Sequence, residues 1–127
     1  VGSIMMQEAA IIQMKDEITG WKKRLDALQH ENVHLKNQLS EVLKDDISSV
    51  VLETAEYFQN IFIREDETVK KLKEELNQML GLLSSAKESE ISKFAAIRGK
   101  LKDKIESNQQ HFQELKLKFQ EYLRTAQ

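Results

Sequence analysis

Residues 30 to 34 read His30-Glu31-Asn32-Val33-His34, and on a helix this spacing sets two imidazoles one turn apart on one face. Two such nitrogens can hold a zinc ion, and the glutamate beside them can act as general base toward a metal-bound water. His111, the only other histidine, is the one candidate for a third imidazole ligand. The chemistry of that set is metal-assisted hydrolysis, so a zinc-dependent hydrolase is one reading of the chain. It stands or falls with the helix that carries the motif and the direction in which that helix faces.

The chain has 127 residues, about one ordinary domain, with no proline, four glycines and 31% charged residues. So little turn-forming material points to long helices. The absence of cysteine removes disulfides and thiolate metal sites and fits a reducing compartment. A formal net charge of -2 supplies no long-range attraction to nucleic acid. The longest low-charge stretch, Ile4 to Met14, still holds Gln7, Glu8 and Gln13, too polar for a membrane span or a signal-peptide core. The expectation is a soluble, cytoplasmic protein without a cofactor, although the opening Val1-Gly2-Ser3 leaves the natural amino terminus open.

Apolar residues in the first third alternate in spacings of three and four, the pattern of a helix with one buried seam. With Ile4 as position a, the a series is Ile4, Ile11, Ile18, Leu25, Asn32 and Leu39. The d series is Gln7, Met14, Trp21, Leu28, Leu35 and Val42, so only Gln7 and Asn32 are polar. The pattern resumes out of phase at Val51 and runs through Phe58, Phe62, Val69, Leu76 and Leu83, with Glu65 its polar exception. From Val42 to Val51 the chain advances two residues too many for a heptad, which would turn the stripe by roughly 200° on a straight helix. The chain must reverse there, with Asp45 or Asp46 as the expected N-cap. A third series starts at Ile91 and includes Phe94, Arg98, Leu101, Ile105, Asn108, Phe112 and Phe119. It implies a second reversal near Ser85, where Ser85 and Glu88 have capping-box spacing, unless Gly81 ends the second helix sooner.

These phases predict one helical domain over residues 1–127, with helices about 4–44, 47–83 and 86–125. Short connections make neighbours antiparallel. The expected fold is all-α, an elongated three-helix antiparallel (up-down-up) coiled-coil bundle. Apolar residues flanking the seam, such as Leu43, Ile61 and Ile97, widen the stripe beyond the needs of a two-stranded zipper. The overall look resembles spectrin-like three-helix bundles.

In this frame Asn32 takes an a position, while His30 and His34 fall at f and c and point outward. The resemblance to the zincin motif covers five residues and ends there: Asn37 stands where the extended motif has glycine and Ser40 where it has histidine. Leu28, Asn32, Leu35 and Leu39 resemble the core of a leucine zipper, in which an asparagine at a selects parallel dimers. The basic segment of a DNA-binding zipper is missing, since residues 1–20 carry Lys15 as their only basic residue. What the resemblance implies is a buried amide that fixes register.

Reversals near 46 and 85 put Glu65 level with Ala27, Asn108 with His30, His111 with Val33 and Arg98 with Gly20. Asn32, Glu65 and Asn108 should therefore form a structural polar layer. Trp21, Arg98 and Gly99 form an expected packing cluster, in which Gly20 and Gly99 leave room for the indole and the guanidinium lies over it. The basic runs around Lys71 and Lys102 are interleaved with acids and read as solvated faces. No nucleophile with its base and no phosphate-cradling glycine loop is visible. The expectation is a non-enzymatic scaffold or protein-interaction module acting on a protein partner or a second copy. Its rivals are an obligate homodimer zipped through the first helix, and the zinc hydrolase on His30, His34 and His111.

Overall fold

A computed structural model describes residues 2–45 and 48–126, and it consists of three helices packed as an all-α bundle. α1 spans Gly2–Asp45, α2 Ser49–Ser84 and α3 Ile91–Ala126, with a 3-10 turn at Glu88–Glu90 before α3. At 1.5 Å per residue α1 is roughly 65 Å long and its partners roughly 55 Å. Gly81 lies inside α2 and does not end it.

The helix ends sit later than the heptad breaks suggest. Asp45 belongs to α1 as its last residue, and Asp46 lies outside the described residues. The cap of α2 is Ser48, whose extended backbone lets its Oγ accept from the Val51 N–H at 3.4 Å. At the other end of α2, Ser85 is the C-cap and donates its N–H to the Leu82 carbonyl at 3.3 Å. Ser85 therefore closes α2 and does not open α3. The opening task falls to Lys87 and Glu90: Glu90 Oε1 accepts from the Lys87 N–H at 3.2 Å while the Glu90 N–H reaches the Lys87 carbonyl at 2.9 Å. The side-chain half of the capping box thus lies two residues downstream of the expected pair.

Contacts between helices set direction and register. Lys73 pairs with Asp26 and Lys36 with Asp66, so α2 rises as α1 falls. Arg98 pairs with Glu17 and Lys116 with Glu31, so α3 runs with α1. Up-down-up topology follows directly. The 3-10 turn lengthens the second connection and slides α3 toward the start of α1, which is why Arg98 meets Glu17 where the sequence puts it level with Gly20.

The core is the a/d stripe of all three helices, with Ile18, Leu25, Phe62, Leu76, Ile105, Phe112 and Phe119 fully enclosed. One stretch is aromatic. Phe62 and Phe119 meet edge to face with centroids 5.0 Å apart, and Phe58 packs on Phe119 at 5.1 Å. This arrangement favours the ring quadrupoles beyond simple burial and ties α2 to α3 near the start of α2.

Candidate functional site

Three polar side chains interrupt the core: Asn32 at 1% exposure, Glu65 at 4% and Asn108 at 8%. They do not form one network: Glu65 pairs with Asn108, and Asn32 bonds elsewhere. Asn32, at an a position of α1, uses its amide nitrogen twice, donating to the Phe62 carbonyl at 2.9 Å and to Asp66 Oδ1 at 2.7 Å. Asp66 in turn holds Lys36 of α1 at the half-buried edge of the seam. The other face of the amide is less well served, because Asn32 Oδ1 is buried without a hydrogen-bond partner among the described residues. A buried acceptor left in that state costs about 1–3 kcal/mol.

The Glu65–Asn108 pair lies between α2 and α3, where Asn108 Nδ2 donates to Glu65 Oε1 at 2.9 Å. Burial raises the Glu65 carboxyl above the ordinary carboxylate range; the Asn108 hydrogen bond and the charge of His111 oppose the rise, and Asp66 adds to it. Asp66 and Lys36 are the members that heptad reading missed. Both stand at e positions, facing each other across the α1–α2 seam, and that shared position with opposite charge was the available signal.

Glu65 and Asn108 also line a groove of about 800 Å³ between α2 and α3. Ile61 and Leu72 give it apolar walls; Arg64 and Lys71 stand on the α2 edge, Lys104 and His111 on the α3 edge. A small annex at one end brings in Lys118, and Tyr57 borders both spaces. The only ion pair spanning the groove joins Lys104 to Glu75 at 3.4 Å among the described residues. The edges that face α1 are laced more closely, by Asp26–Lys73 at 2.5 Å, Glu17–Arg98 at 2.6 Å, Lys36–Asp66 and Glu31–Lys116.

The histidines are not brought together. His30 and His34 are exposed on the outward face of α1, and His30 Nδ1 lies 2.8 Å from the Asp26 carbonyl of its own helix. His111 lines the α2–α3 groove on the other side of the bundle. Among the described residues no three acidic, histidine or cysteine side chains are grouped to hold a metal ion. The packing cluster also needs correction. Trp21 is buried, but a Cβ built at Gly99 meets nothing within 4 Å, so Gly99 does not make room for the indole. Arg98 gives its Nε to Glu17, an edge position in the α1–α3 seam.

Among the described residues no helix is long and apolar enough to cross a membrane. Comparison of the chain with protein-family models, with curated proteins and with solved structures finds no significant match.

Proposed function

We propose that this chain is a non-enzymatic helical scaffold that docks another protein along its α2–α3 groove. The observation that supports it is the groove of about 800 Å³ with apolar walls between α2 and α3, at a seam bridged by one ion pair among the described residues where two bridge each seam with α1. A three-helix frame with an apolar-walled groove suits helix-in-groove recognition. Ser107 and His111 both line the groove, but no hydrogen bond joins them among the described residues, and the buried carboxyl there is held by an amide, which suits alignment better than catalysis. Zinc hydrolysis is not favoured by exposed histidines lying on opposite sides of the bundle. Zipping through Asn32 is not favoured either, since that amide is spent on Phe62 and Asp66 of the same chain.

The test is a photo-crosslinking residue placed at Ser107, in the groove, or at Lys23, on the outer face of α1, in the chain expressed in its native cells. The reading expects a discrete cross-linked product from position 107 and none from position 23. No product at either site, or equal products at both, overturns it.

A further inference from the structure

The edges of the groove carry a charge pattern that specifies its occupant. Arg64 and Lys71 lie one heptad apart on α2, and Lys104, His111 and Lys118 lie one heptad apart on α3. The antiparallel register given by Glu65 with Asn108 and Glu75 with Lys104 sets Arg64 about level with His111 and Lys71 about level with Lys104. Lys71 therefore faces Lys104 across the opening and Arg64 faces the His111 imidazole, while Glu114 enters the annex beside Lys118. Glu75 is already taken by Lys104, Glu65 is enclosed at the floor, and the Arg64 and Lys71 side chains make no ion pair among the described residues. Apart from Lys104 with Glu75, no ion pair bridges this seam among the described residues, whereas two ion pairs bridge each of the other two.

An object that fits must be apolar where it meets Ile61 and Leu72 and acidic along both flanks at heptad spacing. On α2 the groove runs from Tyr57 to Glu75, roughly 27 Å, the length of about five helical turns. We propose that the groove binds an acidic amphipathic α-helix from a partner protein, packed as a fourth helix with carboxylates at its e and g positions against Arg64, Lys71, Lys104 and His111. Four-helix packing around one core is a common endpoint for such a stripe. A nucleic-acid strand would meet the basic edges but offers nothing apolar for the walls, and the chain as a whole is negative at -2. This inference rests on the docking role proposed above and names the chemistry of the partner.

Two synthetic peptides of about three heptads test it, both with Leu and Ile at a and d, one with Glu and the other with Lys at every e and g position. Repulsion between its own flanks keeps each peptide from pairing with itself. In fluorescence anisotropy with the full chain, the Glu peptide should bind at least about 10-fold more tightly than the Lys peptide, and salt should weaken it. The double variant Arg64→Glu, Lys71→Glu, whose fold is checked by circular dichroism, should lose at least about 10-fold for the Glu peptide and gain for the Lys peptide. Neither peptide binding, equal binding, or a preference unmoved by the charge reversal overturns the proposal. So does a concentration-dependent dimer of the free chain that the double variant abolishes, which makes a second copy the occupant, or tighter binding of a single-stranded RNA oligonucleotide than of the Glu peptide. Cross-links at position 107 together with a failed peptide preference would leave groove docking standing and remove the acidic helix alone.

Discussion

α1 meets each of its two neighbours along an edge bridged by two ion pairs, whereas the α2–α3 seam is bridged by Lys104–Glu75 alone among the described residues and carries Arg64, Lys71 and Lys118 along its margins. The same a/d stripe supplies apolar layers on both sides of the bundle, so core composition does not explain why one seam is open. Edge charges do. Asp26 with Lys73 and Glu17 with Arg98 draw helices together across half-buried margins, while Arg64 opposite His111 and Lys71 opposite Lys104 do not. Polar interruptions follow the same division. On the closed side Asn32 reaches across to a backbone carbonyl and to an ion-paired carboxylate; on the open side Glu65 and Asn108 satisfy each other at the floor of a groove.

The comparison breaks most visibly at the aromatic cluster, because those rings hold α2 and α3 together where the edges do not. Phe62→Ala removes a fully enclosed ring that meets both Phe58 and Phe119, and should cost about 3–5 kcal/mol in urea unfolding. A loss below about 1 kcal/mol would mean that the α2–α3 side is held by something else. Asn32→Leu probes the closed side. It removes an unpartnered buried acceptor while Lys36 still neutralises Asp66, so heat stability should rise by about 1–2 kcal/mol. The same change should double many amide cross-peaks in NMR spectra as alternative registers appear; a single set of peaks would deny the amide its register role.

Glu65→Gln sharpens the open side. The folded carboxyl is raised above its ordinary value of 4.5, so its contribution is fully present below that value and is lost as pH rises through the higher folded value. Glutamine keeps an oxygen for Asn108 to donate to and carries no charge. Stability at neutral pH should therefore rise by about 1 kcal/mol, with the gap between parent and variant closing as pH falls toward 4.5. A gap that widens on acidification would place an ionised, stabilising carboxylate in that layer. The smallest effect belongs to Gly99→Ala on α3. With nothing within 4 Å of the added Cβ, helix propensity alone should stabilise the protein by about 0.5–1 kcal/mol. Destabilisation in thermal melts would restore a packing role to that position.

Much of this molecule is legible in its heptads. The phase breaks after Val42 and after Leu83 identify two reversals, and most residues that keep phase between Met14 and Phe119 are buried, while Ile11, Val42, Val51, Ile91 and Arg98 are only half-buried. Caps were harder to read, since Ser48, Ser85 and Lys87 compete with equally plausible neighbours and the winner depends on where each chain reversal fits. A displacement of a few residues at the second reversal then moved Arg98 from Gly20 to Glu17. The inferred role of Gly99 failed for a related reason: local sequence gives proximity along a helix but not the free volume beside it.

What the sequence by itself determined is most of the buried positions, the number of helices and their alternating direction, because hydrophobic periodicity and short connections suffice for all three. It also placed Asn32, Glu65 and Asn108 on the inward side. Only the tertiary structure decided which polar group meets which, that the layer does not form one network, and that one seam opens into a groove. Those outcomes depend on register between helices, which sums the lengths of two connections, and on charges brought together from residues far apart in the chain.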